Sequence, residues 1–312
     1  MRAGVVHSLG TTPVVGEFED PAPDAEPATV VAAAMNPVDV AVVEGEMPFR
    51  RIDPPFVAGI EGVARLDDGA HRYFFSPRAP YGAYAERVPL RDAELTAAVP
   101  DGVDPVIAAA LGTSGLAAYL ALTATAELRE GEDVAVLGAD GQVGRVAVQV
   151  ARTLGAGRIV AVVHRDDDAA RRYDLGADAV VSSADIDSLG ERLRSALPGG
   201  ADVMVDLVWG PVIGPALQAA AQGARVVQVG NAAGAQATVS APTLRNGLVR
   251  LSPHSNFLFS PEDRARAFGR LVALAAAGQV TVEAEQVGLE DTAAAYRLLV
   301  ERRADRKLVI VP

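Results

Sequence analysis

Cysteine is absent from this chain of 312 residues, and histidine occurs only four times, as His7, His71, His164 and His254. Without cysteine the chain can form neither a disulfide framework nor a thiolate metal site. The four histidines show no spacing typical of metal ligands. We therefore expect no bound metal.

The chain also lacks a basic run and a long hydrophobic run. Its formal net charge is −12, which argues against nucleic acid or an anionic membrane surface as a partner. No apolar segment reaches the roughly 20 residues that span a bilayer, and the opening sequence MRAGVVHS differs from a signal peptide. Half of the residues are hydrophobic, and the length suffices for two domains. We expect a soluble cytoplasmic protein whose partner is a small molecule.

Residues 133–168 predict a strand, a glycine turn, a helix and a second strand. The first segment, 133–139, is a short apolar run typical of a strand buried on both faces. ADGQVG at 139–144 is a G-x-G-x-x-G pattern with alanine in the first glycine place. In such a turn Gly141 lets the backbone approach a pyrophosphate, and Gly144 lets the helix pack closely on the sheet. The alternative is a tight strand-to-helix turn without a ligand.

The end of the second strand, 158–163, is expected to select the cofactor. Proteins that bind NAD usually place an acid there to hold the ribose hydroxyls, but positions 163–165 read Val-His-Arg. The Arg165 guanidinium can donate to a ribose 2′-phosphate, which favours NADPH over NADH. The three acids at 166–168 oppose a phosphate, unless they serve to cap the following helix. His164 is either a cofactor contact or a solvent-facing loop residue.

The first 100 residues differ from this central stretch. Frequent prolines and short apolar runs at 29–34, 56–66 and 82–89 predict strands of a β-rich domain. NPVD at 36–39 predicts the start of a helix, since proline is favoured early in helices. The polar segment 68–80 predicts a loop.

Beyond the central stretch, strands and helices alternate. Strands are predicted at 178–182, 202–207 and 224–230, as in a parallel sheet covered by helices on both faces. Ligands of such sheets bind at the carboxyl ends of the strands. The residues predicted to contact the cofactor there are Gly141, Gln142, Val143, Gly144, His164, Arg165, Val208, Gly230 and Asn231. A plain strand-to-loop turn is the alternative for the last two.

Taken in order, these motifs resemble the zinc-independent quinone oxidoreductase branch of the medium-chain dehydrogenase/reductase superfamily over nearly the whole chain. The segments that carry the resemblance are NPVD at 36–39, PFVAGIEG at 55–62, GAYAE at 82–86, ADGQVG at 139–144, LGAD at 175–178, VGNAAG at 229–234 and KLV at 307–309. No single segment is specific, but their order is.

The resemblance implies an α/β protein with a doubly wound Rossmann sheet and a β-rich GroES-like domain. The GroES-like domain would consist of residues 1–112 and 246–312, and the Rossmann domain, which binds NADPH, of residues 113–245. A homodimer formed through the Rossmann sheet edge is also implied. Zinc-dependent relatives carry a histidine where Ile60 stands and cysteines where Asn36 and Thr113 stand, so zinc chemistry is not expected.

Asn36, Asp39 and Thr113 are the candidate catalytic residues. Asn36 either holds a carbonyl oxygen as charge develops on it or caps a helix. Asp39 either lines the substrate site or is a hydrogen-bonded structural acid, and Thr113 either offers a hydroxyl to the nicotinamide or packs in a helix. Ala41 and Ala117 replace a tyrosine and a threonine of several relatives, so the substrate side is altered.

The resemblance implies an NADPH-dependent reductase of quinones or α,β-unsaturated ketones. Two alternatives are an enoyl reductase that tailors a biosynthetic product and a redox sensor that holds NADPH without turnover. We place no His, Cys or Lys at the motifs of the substrate side. We therefore expect an electron-poor acceptor whose product anion is protonated by water rather than by a protein acid.

Overall fold

A computed structural model of the protein describes residues 1–47, 50–164 and 176–312. These residues form two compact units. The terminal unit, which contains both ends of the chain, consists of Met1–Ser114, Phe259–Ala277 and Val282–Pro312. The central unit consists of Gly115–Leu258 and Gly278–Thr281.

The described strands are β1 (Arg2–Val6), β2 (Val14–Glu17), β3 (Pro27–Ala34), β4 (Phe56–Val57), β5 (Glu61–Arg65), β6 (His71–Phe75), β7 (Arg87–Pro89), β8 (Leu95–Val99), β9 (Val134–Leu137), β10 (Ile159–Val163), β11 (Ala179–Ser182), β12 (Ala201–Asp206), β13 (Ala220–Gln228), β14 (Arg250–Pro253), β15 (Ala284–Gly288) and β16 (Lys307–Val311). The described α-helices are α1 (Pro37–Val43), α2 (Pro105–Leu111), α3 (Thr113–Leu120), α4 (Gln142–Thr153), α5 (Leu189–Ala196), α6 (Gly210–Ala216), α7 (Ala241–Gly247), α8 (Pro261–Ala276) and α9 (Thr292–Val300).

The terminal unit is built mainly from antiparallel strands. One sheet has the order β15-β16-β3-β5-β6-β8, with β7 paired to β3, and a second has the order β2-β1-β4. Buried apolar side chains form a core that includes Phe56, Phe74 and Tyr84. Burying one such aromatic side chain stabilises a fold by about 1.5–3 kcal/mol.

Strand β16 brings the end of the chain against its beginning. It pairs antiparallel with β3, where Val309 lies opposite Ala34, and parallel with β15. Because β3 ends two residues before Asn36, this register places Lys307 beside Asn36, 271 positions away in sequence.

The central unit contains a parallel sheet of six strands in the order β11-β10-β9-β12-β13-β14. Strands β9 and β10 are apolar and buried at every position, as expected of strands covered on both faces. The chain runs outward from β9 to β11 and then crosses to β12, so the strand order switches between β9 and β12, where such sheets bind ligands. The predicted fold class, a doubly wound parallel sheet with a β-rich second domain, is confirmed.

Several segments differ from the sequence analysis. The strand predicted at 82–89 is formed only by Arg87–Pro89. Residues 68–80, predicted as a loop, contain β6, whose Tyr73, Phe74 and Phe75 are buried. The polar flanks of this short aromatic run masked its strand propensity. Strand β14 pairs in parallel with β13 and extends the central unit to Leu258, beyond the expected end at residue 245. It lies at the sheet edge and is largely exposed, so it lacks the apolar run of a buried strand.

Among the described residues, no single helix is long and apolar enough to cross a membrane. Pro105–Leu111 and Thr113–Thr125, bent by 50° relative to each other, reach that length and composition only when taken together.

Candidate functional site

The glycine turn of the central unit joins β9 to α4. Gly138, one residue before the predicted motif, has a φ of +84°. A Cβ at this position would lie 2.8 Å from Cγ1 of Val208. The tight turn therefore depends on Gly138, one residue before the alanine that stands in the first glycine place of the motif.

Gly144 allows α4 to start close to the turn. A Cβ on Gly144 would lie 2.2 Å from the carbonyl oxygen of Gly138, so any other residue must displace the backbone. Gly141 is different, because its φ is −79° and a Cβ would find its nearest neighbour at 3.4 Å. The protein itself therefore does not require glycine at position 141. Glycine would be needed there only if a ligand approached the backbone.

The N-terminus of α4 suits a phosphate. The helix has twelve residues and begins at Gln142, and its N-cap residue, Gly141, has no side chain to cap it. No acidic residue occupies the first turn, so the positive end of the helix dipole favours an anion. The predicted residues 141–144 thus lie together in a turn that fits the diphosphate of a dinucleotide.

A carboxylate lies at the end of β10. His164 is exposed, and its backbone N–H donates to Oδ2 of Asp140 at 3.2 Å. The expectation that no acid stands at this strand end is therefore wrong, because Asp140 reaches it from the glycine turn. Arg165 and the three acids at 166–168 lie outside the described residues, so the role of Arg165 stays a prediction.

Strand β12 ends in Asp206, which the sequence analysis did not single out. Its carboxylate is fully buried, and Oδ1 accepts the backbone N–H groups of Val208 at 3.0 Å and Trp209 at 2.8 Å. Oδ2 is buried without a hydrogen-bond partner among the described residues, and burial raises the pKa of this carboxyl. The two accepted bonds hold the turn in which Trp209 adopts a φ of +52°. The sequence signal that could have identified Asp206 was the position of an aspartate at the end of an apolar strand.

The loop after β13 passes the end of β12. A Cβ on Gly230 would lie 2.6 Å from the carbonyl oxygen of Leu207, so glycine is required for this close approach. The N–H of Ala233 donates to the carbonyl of Val208 at 2.7 Å, and Asn231 is exposed. The structure thus places Val208, Gly230 and Asn231 at one rim of the sheet.

In the terminal unit, Asn36 and Asp39 start helix α1. Asn36 is the N-cap residue, and its backbone N–H donates to Oδ2 of Asp39 at 2.7 Å. The Asp39 carboxylate also accepts from the N–H of Ile60 at 2.8 Å and the hydroxyl of Tyr84 at 2.9 Å. Burial raises the pKa of Asp39 to about 6, against the effect of these donors. The contacts favour the alternative of a structural acid.

Glu61, on β5, is a second fully buried carboxylate. Its Oε1 accepts from Nδ2 of Asn36 at 2.7 Å. Its Oε2 accepts from the hydroxyl of Tyr73 at 2.6 Å and from the backbone N–H and hydroxyl of Thr113 at 2.6 and 2.8 Å. Sequence analysis missed Glu61, although a single acid within the apolar run around PFVAGIEGVA was a visible signal.

Lys307 is the only lysine of the chain and is 3% exposed. Its Nζ donates to Oδ1 of Asn36 at 2.5 Å and to Oγ of Ser114 at 3.0 Å. Burial lowers the pKa of Lys307, while the charges of Glu61 and Asp39 act in the opposite direction. The expectation that no lysine lies at the substrate-side motifs is therefore wrong, because strand pairing brings this one to Asn36.

These side chains form one buried polar cluster of the terminal unit, which consists of Asn36, Asp39, Glu61, Tyr73, Tyr84, Thr113, Ser114 and Lys307. The structure brings together all three predicted catalytic candidates. Asn36 donates its amide hydrogens to Glu61 and, at 3.2 Å, to the carbonyl of Ala34. It therefore keeps no amide hydrogen for a substrate oxygen.

Comparison with known proteins agrees with this architecture. The model of a family described as zinc-binding dehydrogenase matches residues 143–281. A protein of Leishmania amazonensis named "Probable quinone oxidoreductase" is 27% identical over 213 residues, which cover 65% of this chain and 60% of that protein. The chain thus matches less than two thirds of the length of this curated relative.

Solved structures match over the whole chain. A mycobacterial quinone oxidoreductase superposes with a TM-score of 0.86 at 25% identity, with 100% of each chain covered. The quinone oxidoreductase of Thermus thermophilus, solved alone and in complex with NADPH, superposes with a TM-score of 0.80 at 27% identity, again with 100% of each chain covered. No group of three or more potential ligand side chains placed to bind a metal occurs in the described parts of this chain.

Proposed function

Since the chain belongs to the medium-chain dehydrogenase/reductase superfamily, in its quinone oxidoreductase branch, we propose that it is an NADPH-dependent reductase. It transfers hydride to a quinone or an α,β-unsaturated ketone without zinc. The observation that carries the proposal is the glycine turn before α4, where Gly138 and Gly144 hold an uncapped helix N-terminus at the carboxyl edge of a doubly wound sheet.

The cofactor would be held by residues of the central unit. The backbone of 141–144 would bind the diphosphate, and Val208, Gly230 and Asn231 would line the nicotinamide side. When bound, the nicotinamide supplies the hydride, while the protein orients it and keeps water away. Asp206 contributes by fixing the turn that carries Val208.

We propose NADPH rather than NADH because Arg165 follows the second strand and can donate to a 2′-phosphate. The NADPH complex of the Thermus relative supports this choice. Asp140 would act in the opposite direction, since its carboxylate at the end of β10 would repel a 2′-phosphate and could accept from ribose hydroxyls. The preference for NADPH is therefore a balance of these two side chains.

The proposed reaction uses no zinc because of the residues that stand at the ligand places of zinc-dependent relatives. Asn36, Ile60 and Thr113 offer neither thiolate nor imidazole, which zinc prefers. Elemental analysis after dialysis against a chelator is expected to find no zinc. Stoichiometric zinc in that sample would contradict the proposal.

We also propose a homodimer that forms through β14 of each copy. The strand ends the parallel sheet, so its outer edge offers backbone donors and acceptors to a second strand. Leu248 and Leu251 beside this edge are 62% and 38% exposed. Light scattering is expected to give twice the mass of the chain, and Leu251→Lys to shift that mass toward one chain.

The function is tested with the purified protein, NADPH and a panel of quinones, enones and simple ketones. We expect quinones or enones to oxidise NADPH and simple ketones to fail. Cofactor binding is measured separately through Trp209, the only tryptophan of the chain, without any acceptor. Binding without turnover would support a redox sensor instead, and turnover limited to one class of enone would support a tailoring enoyl reductase.

A further inference from the structure

Trp209 stands in a backbone conformation that favours glycine. Its φ is +52° and its ψ is −140°, a combination that residues with a Cβ rarely adopt. The next residue, Gly210, also has a positive φ, and a Cβ there would lie 2.6 Å from the carbonyl oxygen of Ala233. The chain therefore places its only tryptophan in a turn where glycine would be less strained.

Contacts on two sides hold this turn in place. Asp206 accepts the backbone N–H of Trp209 at 2.8 Å through Oδ1, while its buried Oδ2 has no hydrogen-bond partner among the described residues. On the other side, Trp209 forms a parallel bridge with Gly234 in the loop after β13. Strained residues that their surroundings hold in this way are concentrated at functional sites, which points to a function of the indole.

The Trp209 side chain is half-buried. It packs against the apolar cluster of the central unit, whose buried members include Val160, Met204 and Ile213. Because Trp209 follows the last residue of β12 by three positions, the exposed part of the indole lies at the carboxyl edge of the sheet. An aromatic side chain that is fixed in a core and partly exposed offers a rigid surface to a planar ring.

The turn adjoins the site proposed for the cofactor. Val208 precedes Trp209, and its Cγ1 would lie 2.8 Å from a Cβ on Gly138, in the glycine turn. The carbonyl of Val208 accepts the N–H of Ala233 at 2.7 Å, so the loop after β13 adjoins the same turn. A dinucleotide lies across the place where the strand order switches, which brings its planar rings to this edge.

We propose that the exposed part of the Trp209 indole stacks on a heteroaromatic ring of the bound dinucleotide, and that the strained turn is retained to present it. This inference rests on the proposed function, which assigns a dinucleotide to the central unit. The indole contributes affinity rather than a chemical step, so no bond forms or breaks at Trp209. Adenine and nicotinamide share the chemistry that it recognises, and binding of the separate halves of the cofactor distinguishes them.

The first test uses the fluorescence of the single tryptophan in the full chain and needs no turnover. Acrylamide quenches an exposed indole and carries no charge, so the phosphates of the cofactor do not repel it. We expect saturating NADPH or NADP⁺ to lower the quenching constant of Trp209 several-fold. An unchanged constant, at a concentration where calorimetry shows that the cofactor is bound, would overturn the proposal.

The same measurement with fragments identifies the ring. Adenosine 2′,5′-bisphosphate carries the adenine alone, and nicotinamide mononucleotide carries the nicotinamide alone. We expect one of them to protect Trp209 as the whole dinucleotide does, while the other leaves the quenching constant as it is. If both fragments bind and neither protects, the indole does not stack on either ring and the proposal is wrong.

The second test measures cofactor affinity by calorimetry in variants of Trp209. Stacking of a base on an aromatic side chain is worth about 1–3 kcal/mol, so Trp209→Ala should weaken binding roughly 5- to 150-fold. Trp209→Phe keeps an aromatic ring and should keep most of the affinity. Val180→Ala, which removes an exposed apolar side chain of the same unit, is the control and should bind normally. Equal affinity of Trp209→Ala and the unmutated protein would overturn the stacking.

Trp209→Gly separates the indole from the turn. Glycine fits the conformation at position 209, so this variant should unfold at a higher urea concentration than Trp209→Ala, although glycine normally destabilises a chain relative to alanine. Circular dichroism follows the unfolding. Its cofactor affinity should nevertheless be as low as that of Trp209→Ala, because both lack the ring.

The outcomes of these experiments are distinguishable. Trp209→Gly that binds the cofactor like the unmutated protein, or that is no more stable than Trp209→Ala, would overturn the strained presentation of the indole. An unmutated protein that binds neither NADPH nor NADH in calorimetry would overturn the proposed function itself. Binding that leaves Trp209 fully accessible to acrylamide would overturn this inference alone.

Discussion

The glycine turn of the central unit is formed by the backbone of one contiguous stretch, 138–144, whereas the buried polar cluster of the terminal unit is formed by side chains that are far apart in sequence, from Asn36 to Lys307. The first site needs glycine, because a Cβ would strike the neighbouring backbone at 2.2 Å in the case of Gly144. The second needs a matching set of donors and acceptors. The first site is therefore most sensitive to added atoms, and the second to changes in charge or hydrogen bonding.

The two kinds of site also respond differently to pH. The backbone groups of the glycine turn do not titrate, so they add no pH dependence to the binding of a diphosphate. The buried cluster contains two carboxylates and an ammonium, and burial shifts the pKa of Asp39 and of Lys307. Stability and activity that change with pH are thus expected from the terminal unit.

Gly144→Ala should show the largest effect and should act on the central unit. In a helix, alanine is normally more favourable than glycine. At position 144, however, its Cβ would lie 2.2 Å from the carbonyl oxygen of Gly138. We expect the free energy of unfolding to fall by about 3 kcal/mol and cofactor binding to be lost. Urea unfolding followed by Trp209 fluorescence reports on this unit. Gly199→Ala, where a Cβ would meet no atom within 4 Å, is the control, and equal stability of the two variants would contradict the steric argument.

Asp39→Asn should remove part of the pH dependence of the free energy of unfolding of the terminal unit. The pKa of Asp39 is raised from 3.8 to about 6, so the folded state binds this proton more tightly than the unfolded chain does. The stabilisation is present below pH 3.8 and is lost as the pH rises through about 6. At about 1.4 kcal/mol per pKa unit, the loss is roughly 3 kcal/mol.

The measurement is the free energy of unfolding by circular dichroism across that pH range. The difference between the unmutated protein and Asp39→Asn should decline as the pH rises, because the variant lacks this titration. The exposed Asp24→Asn is the control and should follow the unmutated protein. A difference that stays constant with pH would show that Asp39 keeps an ordinary pKa.

Arg165→Ala should have a smaller effect, confined to the cofactor. A hydrogen bond to a charged group is worth about 1.5–3 kcal/mol, so NADPH affinity should fall roughly 10- to 150-fold, while NADH affinity hardly changes. Titrations followed by Trp209 fluorescence measure both constants, with Arg194→Ala on α5 as the control. Equal dissociation constants for NADPH and NADH in the unmutated protein would rule out this role.

Asp140→Asn should have the smallest effect, in the opposite direction. The amide oxygen can still accept the N–H of His164, but the negative charge near the end of β10 is removed. One unit of charge at a solvated site is worth about 1 kcal/mol at close range, so NADPH should bind several-fold more tightly. NADH should bind somewhat less tightly, since its ribose hydroxyls lose an acceptor. Asp187→Asn, at an exposed position, should leave the ratio of the two constants unchanged, and a lower preference for NADPH in Asp140→Asn would contradict this interpretation.

The fold of the central unit followed from its sequence because the signals are local. The apolar runs of β9 and β10 and the helical pattern of α4 lie within residues 133–163, and the predicted elements agree with the structure within two residues. Strand β6 and strand β14 were missed, because one is a short aromatic run between polar residues and the other is an exposed edge strand. Such strands are stabilised by their neighbours rather than by their own pattern.

In the candidate sites, too, the residues predicted from the sequence were those with a local signal. Gly141 and Gly144 were recognised from their spacing, but the arrival of Asp140 at the end of β10 depends on how the turn folds back on the sheet. Glu61 and Lys307 were missed as site residues because nothing near them in sequence shows what they contact. Lys307 reaches Asn36 only through the antiparallel register of β16 against β3.

By itself, the sequence determined the backbone of this protein where short-range sterics decide it, as at the glycine turn and in the buried parallel strands. It also determined which groups are available, with one lysine and no cysteine. Tertiary structure alone decided which groups meet, because hydrogen bonds between side chains depend on the register of strands that are far apart in the chain. For that reason the single ammonium lies beside Asn36 and Ser114, where its burial and its neighbours set its chemistry.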